Sequence, residues 1–502
     1  MILQYIMEGF TNVLEPISLL LISLGTLMGL FVGSMPGLSA TMAIAILLPL
    51  TFNMEPAHGL SMLASLYMGA MYGGSIAAIL IRTPGTPAAA ATIMDGYPMA
   101  QQGRAGKALG VSLTASLFGG IISSIALLTI APLLGKIAVQ FGPVELFAVA
   151  TLGITIIGSL SRGSTILGLL AGAIGLLLSL VGMDPVTGSP RFTFGNMYLF
   201  SGIPFTVALI GLFSIPQAMR LIEKDERAKD AISKITDKML PTFKEFKSII
   251  VTILRSGIIG IMTGLIPGTG GDTACWFAYN EAKRFARDKE KFGKGCIEGV
   301  AAAEAANNAV VGGALIPTLT LGIPGSSSTA VLMGGLMVHG IMPGPTLMTE
   351  YADVTYTLIW AVMFSNLAMF LIGLLFTKVA INVTKVSNKV LAPIIVILCV
   401  IGSFAINNSM FDVFMMFGFG ILGYFMDKIK MPTAPMVVGL ILGHMLDTSL
   451  NQSLLMSGGS WTIFFRNKIS IVLLAIAAFS ILQSTPILGY VFKSLKNKKT
   501  ST

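Results

Sequence analysis

Charge is scarce in this chain. Only 11% of its 502 residues are Asp, Glu, Lys or Arg, against roughly 25% in a soluble domain. That shortage excludes the soluble classes. Cysteine is scarcer still: Cys275, Cys296 and Cys399 are scattered, with no disulfide or metal-ligand spacing. No nucleophile–base constellation is present, so no catalytic set is expected and the chain reads as a non-enzyme. No Gly-Lys-Ser/Thr follows the glycine-rich pieces, so ATP hydrolysis is not expected either. The N-terminus has neither a basic n-region nor a cleavage site, so no removed signal peptide is expected.

What the chain has is apolar length. It is 54% hydrophobic with a mean hydropathy of +0.83, and many runs reach the roughly 18 residues that cross a bilayer. These runs are continuous rather than alternating, which selects helices over a barrel. The expectation is an all-α polytopic membrane protein, in contact with the lipid bilayer. The net charge of +9 is carried in short loops and at Lys493, Lys496, Lys498 and Lys499. That pattern records orientation in a membrane, not an affinity for nucleic acid.

Two kinds of break interrupt the apolar runs, and each occurs twice. GLFVGSMPGLSATMA (29–43) matches GIMTGLIPGTGGDTA (260–274) through Gly29, Gly33, Pro36, Gly37 and Gly260, Gly264, Pro267, Gly268. RTPGTPAAAAT (82–92) matches GIPGSSSTA (322–330). Pro36 and Pro267 lie 231 residues apart, and Pro84 and Pro324 lie 240 apart. Pro-Gly within hydrophobic segments at corresponding places in two halves points to a transporter binding site.

Loop charge sets the sense of each half. The loop 53–58 after the first break carries no Lys or Arg; the equivalent 283–294 carries six. After the second break, half one reaches Arg104 and Lys107, and half two reaches Glu350 and Asp353. The positive-inside rule then makes the repeats inverted. The first break of each half should be the tip of a re-entrant hairpin, and the second should interrupt a crossing helix. Residues 1–110 form the core of the first repeat (hairpin 14–52, broken helix 59–95), and 111–219 form its scaffold helices. Residues 220–247 form a cytoplasmic linker. The second repeat core is 248–345 (hairpin 248–282, broken helix 297–342). Residues 346–502 supply further scaffold helices and a basic cytoplasmic tail. Other spans are expected near 113–134, 144–160, 164–182, 197–219, 356–378, 389–407, 410–426, 432–449 and 467–491. That gives eleven crossings plus two hairpins, N-terminus outside and C-terminus inside, with Arg162 and Lys385 among the internal positives.

The blocks PGLSATMA…RTPGTPAAAATIMDGYPMAQQGRAGKALG and IPGTGGDTA…EGVAAAEAANNAVVGGALIPTLTLGIPGSSSTAVLMGG resemble the large membrane subunit of the tripartite tricarboxylate transporters, the TctA family. The resemblance covers essentially the whole chain. It implies a permease of the bacterial inner membrane that works with a small membrane subunit and a periplasmic substrate-binding protein. It implies secondary import of citrate or other organic acids, driven by sodium or protons, with no further cofactor. The hairpin-and-broken-helix layout also resembles elevator-type ion transporters. A standalone carboxylate exporter or an ion channel on the same scaffold is the alternative.

Half-helix N-termini suit carboxylates, and unwound carbonyls suit cations. On that basis Ser39, Thr83, Pro84, Gly85, Thr86, Gly268, Thr269, Pro324, Gly325, Ser326, Ser327 and Ser328 are the candidate substrate contacts. Gly37, Thr41, Asp272, Glu304, Asn307, Asn308 and Thr329 are the candidate ion contacts. Each has a plainer alternative. The hydroxyls are also favoured as helix caps, Asp272 as part of a capping box, and the asparagines as interhelical glue. Glu304 is a proton or sodium site, or an interface residue. Arg82 pairs with a substrate carboxylate or snorkels to the interface. His444 and Asp447 read as interface or scaffold groups, and the Gly-xxx-Gly pairs as close helix packing.

Overall fold

The computed structural model describes residues 2–160, 164–184, 187–223, 235, 237–383 and 388–484. Residues 224–234 and 236 of the expected linker 220–247, the basic tail, Arg162 and Lys385 lie outside the described residues. The chain is all-helical. Its helices are α1 (Ile2–Val13), α2 (Pro16–Gly33), α3 (Ala40–Leu47), α4 (Pro56–Ile81), α5 (Ile93–Gln101), α6 (Ala105–Ala138), α7 (Pro143–Leu160), α8 (Thr165–Ser179) and α9 (Phe205–Glu223). They continue as α10 (Phe243–Leu265), α11 (Gly270–Phe285), α12 (Ile297–Leu321), α13 (Ser327–Val338), α14 (Ala352–Val383), α15 (Asn388–Asn407), α16 (Met410–Lys428), α17 (Thr433–Met456) and α18 (Lys468–Ser484). One antiparallel bridge, Gly182–Met183 with Pro190–Arg191, interrupts the helices.

Ten of these helices are long and apolar enough to cross a membrane. Eight fall where crossings are expected. The other two, α2 and α10, are the first arms of the expected hairpins; at 18 and 23 residues each is long enough to span by length alone. Conversely, α7, α8 and α18 carry expected crossings but count only as shorter apolar helices. The 15 residues of α8 rise about 22 Å, short of the roughly 30 Å hydrocarbon layer. Length and hydropathy therefore do not by themselves reproduce the expected eleven crossings. The expected span 197–219 is helical only from Phe205, after a 3₁₀ turn at Met197–Leu199. Residues 2–13, ahead of the expected first hairpin, form α1. It docks on α14 through Trp360 Nε1, which donates to the Ile6 carbonyl at 2.9 Å, and through the Phe10–Trp360 ring pair.

The most apolar windows of α4 and α12 are completely buried. A helix apolar on nearly every side belongs inside protein, and both are rich in Gly and Ala, joined in α4 by Ser, which let neighbours approach backbone to backbone. The Gly-xxx-Gly pairs supply that approach. A methyl on Gly29 would lie 2.2 Å from the Leu66 carbonyl oxygen, and one on Gly33 would lie 2.3 Å from that of Ala70. In the second half a methyl on Gly260 would lie 2.5 Å from the Ala306 carbonyl, and one on Gly264 2.7 Å from the Ala314 nitrogen. So α2 seats on α4 as α10 seats on α12, and the glycines are packing residues.

Other ties fix the frame. Asp237, at the described end of the linker, accepts from the Gly106 and Lys107 backbone N–H groups at 2.7 and 2.8 Å and so caps α6. Lys107 Nζ reaches Glu245 at 2.8 Å, at the start of α10. Arg191 grips Asp447 at 2.7 Å, which gives Asp447 the scaffold role expected of it.

Gly29→Val and Gly260→Val are expected to force each helix pair apart, at a cost of about 1–3 kcal/mol or more. Gly418→Ala, where nothing lies within 4 Å of the added methyl, should melt like the parent. Thermal unfolding of the purified protein in detergent measures all three; equal melting temperatures would refute the packing role.

Candidate functional site

The two interrupted helices end alike. α4 stops at Ile81 and α12 at Leu321, and the next residues, Arg82 (φ 57°) and Gly322 (φ 70°), are both left-handed. Pro84 and Pro324 then remove the donor that a continuing helix would need. Gly85 and Gly325 follow, and each presses on its own half's first arm. A methyl on Gly85 would fall 1.9 Å from the Gly33 carbonyl oxygen, and one on Gly325 would fall 2.6 Å from that of Gly264. Only glycine fits there. The turns at Gly37 (φ 83°) and Gly268 (φ 82°) match as well. Gly268 N–H donates to the Gly325 carbonyl at 3.0 Å, so the α10–α11 turn is bonded directly to the second break. Arg82 is exposed, in a conformation that costs a non-glycine residue about 1–2 kcal/mol, and lies over the Tyr97 ring at 5.7 Å.

Around the second break three helix starts converge. Ser326 caps α13, accepting from Thr329 N–H at 3.2 Å, while Thr329 Oγ1 accepts from Ser326 N–H at 2.9 Å. Ser39 caps α3 by accepting from Met42 N–H at 3.2 Å. Thr41 and Ser328, each the second residue of its helix, share a hydrogen bond of 2.9 Å. Gly270, the first residue of α11, lies against Ser326, 3.9 Å from its Cβ to an added methyl. Tyr67 of α4 closes the cluster, its hydroxyl 3.2 Å from Ser326 Oγ. Ser327 is half-buried, and its hydroxyl makes no hydrogen bond among the described residues. Asp272, in the first turn of α11, is near enough to Tyr67 to act on it electrostatically.

A second polar cluster lies along α12. Glu304, Asn307 and Asn308 are fully buried. The Glu304 carboxylate meets three hydroxyls: Ser75 at 2.8 Å, Ser116 at 3.3 Å, and Thr92. Asn307 Nδ2 donates to the Met71 carbonyl at 3.2 Å. Its Oδ1, both amide atoms of Asn308 and the Thr86 hydroxyl are buried without a hydrogen-bond partner. Such orphans are rare, and each asks for a ligand or a water. Gly271 joins the clusters, since a methyl there would touch Met71, Ala88 and Asn307 Oδ1.

The structure thus gathers Ser39, Thr41, Gly268, Gly325, Ser326, Ser327, Ser328 and Asp272 about one place, and Thr86, Glu304, Asn307 and Asn308 about a neighbouring one. It uses others locally. Thr269 Oγ1 closes its own turn onto the Thr263 and Ile266 carbonyls. Thr83 is exposed and bonds to Ile81. Thr329 is spent on capping. Gly37 is exposed, with its carbonyl taken by Gln217. Pro84 and Pro324 act by ending helices. Sequence reasoning missed Tyr67, Ser75, Ser116, Tyr279 and Asp95.

Asp95 is fully buried and accepts from Tyr279 Oη at 2.8 Å and from three backbone N–H groups, those of Gly293, Gly295 and Cys296, at 2.7–2.9 Å. It fastens the segment after the first break to the loop between α11 and α12. A signal existed, for Asp95 is the only acid between Glu55 and Glu145. Asp95→Ala leaves the buried Tyr279 hydroxyl and three partly covered backbone N–H groups without their acceptor and is expected to cost about 2 kcal/mol. Thermal unfolding, with limited proteolysis of the 286–296 loop, reads the effect. Unchanged melting and cleavage would show that the clamp is idle.

Comparison with known proteins gives the chain its relatives. Residues 19–438 match the tripartite tricarboxylate transporter TctA family. An uncharacterized 52.8 kDa protein in the TAR-I ttuC' 3' region of Agrobacterium vitis is 36% identical over 468 residues, 93% of each chain. An uncharacterized protein in the TAR-II ttuC' 3' region of the same organism is 34% identical over 217 residues, 43% of this chain and 90% of that one. No solved structure matches. With the family pattern running through most of the chain and both breaks, this multi-pass membrane protein belongs to the tripartite tricarboxylate transporter TctA family.

Proposed function

We propose that the chain is the large permease subunit of a binding-protein-dependent secondary transporter. It imports tricarboxylates or related organic acids across the bacterial inner membrane, with its N-terminus in the periplasm and its C-terminus in the cytoplasm. Its partners are the small membrane subunit and a periplasmic substrate-binding protein. The two halves act as inverted repeats, each with a re-entrant hairpin (α2–α3 and α10–α11) and a broken helix. An elevator movement carries the site between the two sides, driven by a sodium or proton gradient.

The observation that supports this reading best is the meeting of three helix starts, those of α3, α11 and α13, around Ser326 and Ser328. Free N–H groups and partial positive charge at helix N-termini suit a carboxylate. The hydroxyls of Ser326, Ser327, Ser328 and Thr41 add charge-assisted donors. The buried, unpaired oxygens of Asn307, Asn308 and Thr86 suit a coupling ion that travels with the anion.

Uptake of radiolabelled citrate by vesicles holding all three components tests the proposal. A hydrogen bond to a charged group contributes about 1.5–3 kcal/mol. Ser326→Ala, Ser328→Ala and Asn308→Ala should therefore each lower uptake by roughly tenfold or more. Wild-type uptake in all three variants would overturn the site. Uptake independent of the binding protein would favour a standalone carrier or channel instead.

A further inference from the structure

We propose that Glu304 holds a proton in this conformation and is the group through which the transporter couples to protons. The inference rests on the transport function above and deepens it, by assigning the coupling ion and its seat.

Hydrogen counting carries the argument. Ser75 Oγ lies 2.6 Å from the Tyr72 carbonyl oxygen and 2.8 Å from Glu304 Oε2. A serine hydroxyl has one hydrogen to donate. The carbonyl can only accept, and it is the closer of the two. A protonated Oε2 can donate to Ser75 and leave the serine hydrogen to the carbonyl, whereas an ionised one obliges Ser75 to share its single hydrogen between two acceptors. Every other contact agrees. Ser116 donates to Oε2 at 3.3 Å, Thr92 donates to Oε1, and neither hydroxyl has a competing acceptor. In the protonated form all three hydroxyls and both carboxyl oxygens are satisfied. In the ionised form the Ser75 hydrogen is divided between the carboxylate and the carbonyl of its own helix.

Electrostatics agree. Glu304 is completely buried, and an isolated buried carboxylate is expensive without a charged partner. No Lys, Arg or His pairs with it among the described residues. Of the ionisable groups on the surrounding helices, Tyr72 of α4 lies near it, and its hydroxyl donates to the Leu109 carbonyl at 3.4 Å. Asp95 of α5 is bound to Tyr279 and the 293–296 backbone. Between Lys107 and Lys136, α6 carries no ionisable residue. Glu298, on α12 itself, accepts from Thr252 of α10, and Arg255 of α10 faces Glu281 of α11 at 3.9 Å. Asp272 lies toward Tyr67, and Lys378 of α14 is exposed.

The cage is also divided in the right way to release its proton. Ser75, Thr92 and Ser116 belong to the first half, on α4, just before α5, and on α6. Glu304 belongs to the second half, on α12. Any movement that draws α12 from these partners replaces the hydroxyls with water. The acid then ionises, and its proton passes to solvent on the side to which the site has opened.

Infrared difference spectra between acid and alkaline pH test the proposal on the full-length protein. Beside the bands of the exposed acids, the wild type should show the C=O stretch of a protonated carboxylic acid shielded from water and already present at neutral pH, and Glu304→Gln should lose that band. The amide of that variant still donates to Ser75, so the fold should be kept. Should it fail to fold, Ser75→Ala and Ser116→Ala strip hydrogen bonds from the acid and should each shift the frequency of the band. A band that survives Glu304→Gln, or one indifferent to both serine variants, overturns the proposal. In proteoliposomes of the three-component complex, citrate accumulation driven by an inward proton gradient should fall at least tenfold in Glu304→Gln. Wild-type accumulation in that variant also overturns it. If the wild-type complex moves no citrate, the transport reading fails separately, and the infrared band alone decides the protonation.

Discussion

An interrupted helix cannot face lipid. Each break frees backbone N–H and C=O groups, and hydrocarbon offers them no partner. The protein meets this constraint with glycine. Gly85 and Gly325 sit so tightly on the Gly33 and Gly264 carbonyls that no side chain fits between them, and the Gly268 N–H is bonded to the Gly325 carbonyl. That seating requires α2 against α4 and α10 against α12 at backbone contact, and it requires α4 and α12 to be enclosed on every side. The small residues of both helices follow from it. So does the placement of the polar groups, since only an enclosed helix can carry Glu304, Asn307 and Asn308 at such depth.

The same constraint removes a choice that sequence reasoning leaves open. A serine after Pro-Gly is either a helix cap or a ligand group, and in Ser326 the two roles coexist. Its oxygen accepts from Thr329 N–H to start α13, while the same oxygen lies within reach of Tyr67. Thr329 is different: its hydroxyl and its N–H both serve the cap. Capping thus consumes the first and last hydroxyls of Ser326–Thr329. Ser328 turns to Thr41, across the boundary between the two halves, and the Ser327 hydroxyl makes no hydrogen bond among the described residues.

Backbone-determined features were legible in the sequence. Proline and glycine have fixed conformational meaning, so both breaks, both turns and both Gly-xxx-Gly contacts fall where they were expected. Features made by distant contact were not legible. Nothing local announces that Asp95 will collect three N–H groups about 200 residues away, or that Ser116 will reach Glu304. The left-handed turn at Arg82 was hidden because its counterpart is the permissive Gly322, and an arginine gives no such hint. The role of residues 1–13 was hidden too, since α1 is short and owes its order to Trp360 and Phe10. Crossing number was the least legible quantity. α2 has the length of a span and α8 does not, and hydropathy cannot tell a hairpin arm from a crossing.

Charge balance ties the two polar clusters together. A helix N-terminus carries about half an elementary charge, so the starts of α3, α11 and α13 together supply about +1.5. A trivalent carboxylate bound among them would still be in deficit. No Lys or Arg side chain is hydrogen-bonded to Thr41, Tyr67, Ser326 or Ser328 among the described residues. On the proposed function, the remaining positive charge must therefore enter with the substrate, carried by coupling ions. Glu304 then matters for what it does not add. Held neutral, it contributes no charge to a site already short of cations. Ionised, it would make the occupied site harder to carry through the bilayer. On the proposal made for Glu304, its proton spares the loaded site one further negative charge, and the positive charge that balances the anion has to be bound elsewhere.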